Sequence, residues 1–139
     1  NMTADEKELC RKAINEYKQI RPVVQLGNIY RLLSPYDNLG VASMMYIDDA
    51  KDKAVFYWWK TETFVNQHLP RVKMAGLDPA KRYRVRELNR IDKTPLKFEG
   101  KSFSGEYLMA NGLEIPYTHN LDWGKQIDYS SRVLYLEAE

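Results

Sequence analysis

The 139-residue chain is 44% hydrophobic and 29% charged, the composition of one ordinary globular domain able to bury about 70% of its unfolded surface. A formal net charge of +2 gives no electrostatic footprint for nucleic acid, and no apolar run approaches the roughly 18 residues of a membrane-spanning helix, so neither is expected as a partner. Cys10 is the only cysteine, which excludes an internal disulfide and a thiolate metal cluster and favours a reducing compartment.

Residues 3–20 read as a helix. Thr3 followed by Glu6 forms a capping box, and Leu9, Cys10, Ala13, Ile14, Tyr17 and Ile20 make one apolar stripe. Cys10 lies on that stripe and is expected as a buried, inert thiol. Pro22 should end or kink the helix; Val23–Leu26 add at most a turn, with Gly27 as a left-handed cap. Asn28–Leu33 is a short strand and 34–40 a loop.

Val41–Ile47 and Ala54–Trp59 are apolar at nearly every position, and Asp48–Lys53 between them is a polar turn, so a hairpin is expected. A strand of an antiparallel sheet with one wet face should alternate apolar and polar residues. Here Phe56 and Trp58 face one way and Val55, Tyr57 and Trp59 the other. Both faces therefore need cover: an opposing sheet on one side, and the N-terminal helix, a second domain or a partner subunit on the other. Val55, Tyr57 and Trp59 are the candidates for packing against that neighbour.

Residues 60–68 are polar and irregular. Val72 and Met74, then Tyr83 and Val85, alternate with basic residues around Gly76-Leu77-Asp78-Pro79, which predicts a second hairpin whose Arg82, Arg84 and Arg86 face water. After a loop over 89–94, residues 95–99 form a short strand broken by Gly100. Residues 104–109 make one helical turn stopped by Asn111-Gly112, 113–118 an edge strand carrying Pro116, 120–128 a loop holding Trp123, and 131–136 the last strand. One helix followed by about eight short strands predicts an all-β fold, an antiparallel two-sheet β-sandwich of Greek-key type.

The chemistry of a catalytic site is thin. The carboxylate pairs Asp48/Asp49 and Glu137/Glu139 lie in a polar turn and at a terminus, and nothing in the sequence favours pairing Glu114 with Asp122 over any other choice. His68 and His119 have no metal-ligand spacing, no serine sits in a Gly-x-Ser-x-Gly elbow, and no glycine-rich phosphate loop exists, so neither a cofactor nor a metal is expected. Trp58, Trp59 and Trp123 are candidates for a sugar-stacking platform, against the plainer reading that they are packing residues.

Residues 17–32, including Arg21, Pro22, Gln25, Gly27, Tyr30, Arg31 and Leu32, resemble the stretch leaving the catalytic barrel in α-galactosidases of glycoside hydrolase family 36. The resemblance continues through Gly76-Leu77-Asp78-Pro79 with Tyr83, through 105–109 with Gly112-Leu113, and to the serine before the closing strand. It thus spans nearly the whole chain. Asn28 departs from the acidic residue that the resemblance places after Gly27. The resemblance implies that residues 1–27 are the last helix of a (β/α)8 barrel and 28–139 the C-terminal β-sandwich. It also implies that the nucleophile and the acid/base, both aspartates, lie upstream on that barrel, and no position here matches either. The expected role is non-catalytic, packing on the barrel and aiding homo-oligomerisation, in a parent that hydrolyses terminal α-galactosides with retention; the alternative is a carbohydrate-binding module. Asn1 ahead of Met2 suggests an expression scar. A cytoplasmic location is expected, with the periplasm as the alternative.

Overall fold

The computed structural model describes residues 2–38, 40–62, 68–88, 90, 95–116 and 129–139. Helix α1 (Ala4–Leu26) starts at the predicted capping box: the Glu6 amide donates to Thr3 Oγ1 at 3.3 Å, and the Thr3 amide donates to Glu6 Oε2 at 2.7 Å. Pro22 does not stop it. A proline removes one helix hydrogen bond, and here the last turn is held by burial of Ile20 and Val23 and by the Gly27 amide donating to Val23 O at 2.8 Å. Gly27 is extended (φ −78°, ψ 168°) rather than left-handed. What requires glycine there is space, since a Cβ would lie 2.4 Å from Val23 O and 2.7 Å from Ile47 O.

Among the described residues six strands form one antiparallel sheet in the order β1-β2-β3-β6-β4-β5. They are β1 (Asn28–Leu33), β2 (Val41–Ile47), β3 (Lys53–Lys60), β4 (Arg82–Leu88), β5 (Ser102–Ser104) and β6 (Ser130–Ala138), with helix α2 (Gly105–Ala110) after β5. The predicted β2–β3 hairpin is formed, with Met44 opposite Tyr57 and Ser43 opposite Trp58. Its turn is tied by Asp48, whose Oδ1 accepts the amides of Asp52 and Lys53. The irregular segment begins one residue later than expected, because Lys60 completes β3 and is buried.

The hairpin predicted at 69–88 is not formed. Val72 and Met74 are buried and Arg71 and Lys73 exposed, as the alternation requires. However, Val72 bridges Leu113 and the Met74 amide donates to Leu108 O, while β4 pairs with β5 and β6. Alternation fixes which face of an extended segment is buried; it does not choose the partner for its backbone groups. Gly76 still makes the turn, at φ +74°. Residues 95–99 likewise bury Leu96 and Phe98 but close into turns, with the Glu99 amide on Leu96 O and the Lys101 amide on Phe98 O. In 113–116, Leu113 and Ile115 are buried, and the only pairing among the described residues is the bridge at Leu113. The loops predicted over 89–94 and 120–128 fall mostly outside the described residues.

The inner face of the sheet carries Met45, Ile47, Phe56, Trp58, Leu134 and Leu136. Among the described residues the layer opposite carries one isolated bridge, Val72 to Leu113, and no second paired sheet, so the antiparallel sheet with its N-terminal helix is the part of the expectation that is shown. Val72, Met74, Leu77, Phe98, Leu108 and Ile115 supply that layer from turns, the bridge and α2. Short segments interrupted by Gly76, Gly100 and Pro116 can bury alternate side chains without sustaining a ladder. One buried ion pair joins strands on this face, Arg132 Nη1 to Glu87 Oε1 at 2.6 Å. On the outer face Val55, Leu88 and Tyr135 pack under Ile20 and Val23 of α1. Arg86 adds a tie, 5.5 Å above the Tyr135 ring and bonded to Gln19 of α1 at 3.0 Å. No described helix is long and apolar enough to cross a membrane.

Candidate functional site

At 1.5 Å per residue, 23 residues make α1 about 34 Å long, and only its C-terminal part reaches the sheet. The same stripe that buries Ile20 continues toward the N-terminus, and none of the described residues covers it there. Leu9 is 68% exposed, Ile14 53% and Tyr17 46%, and Cys10 is exposed as well. The thiol expected to be buried therefore faces solvent in this chain, because the stripe runs beyond the end of the sheet that would cover it.

The outer face of the sheet beside α1 is equally unfinished. Val55 is fully buried, and α1 is what covers it. Tyr57 and Trp59, the next residues on that face, are half-buried and stack in parallel, 5.4 Å between centroids at 3°. Tyr46 meets Tyr57 edge-on at 6.2 Å. Burial pushes the Tyr57 phenol above its usual range, and the neighbouring phenols of Tyr46 and Tyr17 add to the shift. Next to Trp59 a groove of about 680 Å³ is walled by Leu33, Ala42 and Met44 and by the 34–38 loop, where Tyr36 is 96% exposed. The free stripe of α1 and this aromatic strip are apolar surface that the described residues leave uncovered.

The other candidates have local roles. Trp58 is 1% exposed inside the main core, so neither ring face is open to a sugar. Trp123, Asp122 and His119 lie outside the described residues; His68 is exposed. Asp48 is committed to its turn, and Asp49 accepts from Asn28 Nδ2 at 2.8 Å. Glu139 accepts from Arg84 Nε at 2.7 Å; its contact with Ser102, and then that with Arg84, hold its carboxyl below the usual carboxylate range. Glu114 lies 3.9 Å from Arg71.

The structure also brings together residues that the sequence reading passed over. Phe103 and Tyr107 stack at 5.5 Å and 16°, joined across the Ser104 cap of α2. Their spacing of four residues was the available signal. Tyr107 borders a groove of about 300 Å³ whose floor is Phe98, Phe103 and Leu113. Arg71, Lys97, Lys101 and Glu114 stand around it.

Comparison with known proteins gives one consistent answer. The family model described as Glycosyl hydrolase family 36 C-terminal domain matches residues 41–136. Alpha-galactosidase 1 of Pediococcus pentosaceus is 26% identical over 99% of this chain, and alpha-galactosidase C of Emericella nidulans 29% identical over 97%. The chain spans only 16% and 15% of the length of those two relatives. The crystal structure of the α-galactosidase AgaA from Geobacillus stearothermophilus superposes on the whole chain with a TM-score of 0.78 at 25% identity, matching 17% of that protein.

Proposed function

The chain belongs to the C-terminal domain family of the family 36 glycoside hydrolases, and from that premise we propose that it is a non-catalytic domain docked on the (β/α)8 barrel of an α-galactosidase. The parent hydrolyses terminal α-galactosides with retention, and the carboxylates that do so lie outside this chain. The observation that carries the reading is the apolar stripe of α1 left open at Leu9, Ile14 and Tyr17, continuous with the half-buried Tyr57 and Trp59. A helix with apolar residues beyond the reach of its own sheet is what a barrel's outer helix needs, since one side packs inward on the barrel and the other meets the next domain. Residues 1–27 are read as that helix and 28–139 as the domain it carries. The finer fold reading, a two-sheet Greek-key sandwich, rests on the Val72–Leu113 bridge as the antiparallel pairing of the second layer.

The test is direct. The 139-residue chain alone should release no chromophore from a p-nitrophenyl α-galactoside, while the full-length gene product should. Turnover by the chain alone, abolished by substituting one of its carboxylates, would overturn the proposal. Light scattering on the chain then reports whether its open face also pairs with a second copy.

A further inference from the structure

We propose that the groove between the 95–101 turn and α2 binds a saccharide carrying a carboxylate, at a site on the opposite side of the sheet from α1 and independent of barrel docking. Its floor is apolar and aromatic: Phe98 and Leu113 are core residues, and the Phe103–Tyr107 stack ends in a ring that is 38% exposed. Such a surface takes the flat apolar face of a pyranose much as it takes another ring.

The polar groups around the floor divide into two kinds. Arg71 is held in place, with Nε donating to Asn111 O at 3.0 Å and Nη2 to Gly112 O at 2.9 Å and to the Tyr107 hydroxyl at 3.4 Å. Its Nη1 stands 3.9 Å from Glu114 Oε2, both side chains being open to water. This fixed donor beside an acceptor suits neighbouring hydroxyls, and the two charges largely offset one another. Lys97 and Lys101 are different. Both are exposed, and among the described residues neither ammonium has an ion-pair partner. The lining therefore carries a net positive charge that a neutral sugar would leave unused, whereas a carboxylate would complement it. A volume of about 300 Å³ is at the small end for ligand pockets, which suits a short saccharide.

Digalacturonate and the galactobiose of the same α-1,4 linkage differ only at C6, carboxylate against hydroxymethyl, and make a matched pair of probes. Titrated into the ¹⁵N-labelled chain, digalacturonate should shift the amide signals of Lys101, Phe103 and Tyr107 and the Arg71 side-chain signal. Galactobiose should bind at least ~10-fold more weakly, and added salt should weaken digalacturonate selectively. The surface variant Lys97→Glu/Lys101→Glu should keep the folded spectrum and lose at least ~10-fold in digalacturonate affinity. Absence of shifts at tens of millimolar digalacturonate, equal affinity for the two sugars, or unchanged binding by the double variant would each overturn the assignment.

Discussion

Ile14 and Ile20 carry the same side chain on the same helix, yet Ile20 is 6% exposed and Ile14 53%. Truncating each to alanine separates what α1 does for its own sheet from what it keeps for a neighbour. In the 139-residue chain, Ile20→Ala deletes carbon groups that touch the Val23, Val55, Leu88 and Tyr135 cluster. Losing three such groups at about 0.8 kcal/mol each gives about 2.4 kcal/mol of transfer free energy, and the cavity left under the helix brings the cost to about 2–5 kcal/mol. Ile14→Ala deletes the same atoms from a wet surface and should fall within about 0.5 kcal/mol of wild type. Urea denaturation followed by tryptophan fluorescence measures both as midpoint shifts at constant m-value. The proposed docking on a barrel would cover Ile14 in the full-length protein, and its truncation there should then cost about 2 kcal/mol or more. Two results would refute the reasoning: equal costs for the two variants in the chain alone, or a neutral Ile14→Ala in the full-length protein.

Gly105→Ala should prevent normal packing of α2, because the added Cβ would lie 2.0 Å from Asp78 O, a backbone atom fixed by its turn; a loss of about 3 kcal/mol or more, or an unfolded circular dichroism spectrum, is expected. Tyr83→Phe removes a hydroxyl that accepts from the Asp78 amide at 3.0 Å and donates to Lys51 O at 2.8 Å, so thermal denaturation should show a loss of about 1–3 kcal/mol. Burial raises the phenol pKa values of Tyr57, Tyr83 and Tyr135, so each binds its proton more tightly folded than unfolded. Their contribution is therefore complete below the unfolded value of about 10 and falls as pH rises beyond it, which a urea midpoint measured from neutral to alkaline pH should follow.

Much of this molecule was legible in one dimension because local rules decide it. The capping box, the β1 range, the β2–β3 hairpin, the α2 turn stopped at Asn111-Gly112 and the wet Arg82/Arg84/Arg86 face all depend on neighbours within a few residues. The same holds for the faces of β3: the demand that both be covered is written in the order of its side chains, and α1 meets it at Val55 while Tyr57 and Trp59 stay half-open. Order and spacing of weak motifs also carried the family, because a shared fold constrains many positions lightly and none of them decisively.

What the sequence left undecided is pairing at long range. Val72 found Leu113 rather than β4, β6 inserted between β3 and β4, and Arg132 met Glu87 in the core. None of these partners is near in sequence. Alternation says only that a side chain points inward, and several inward-facing segments compete for the same backbone groups. Only the packed chain shows which of them fit together without leaving donors unpaired, and only there do Phe103, Tyr107, Arg71 and the two lysines come to share one groove.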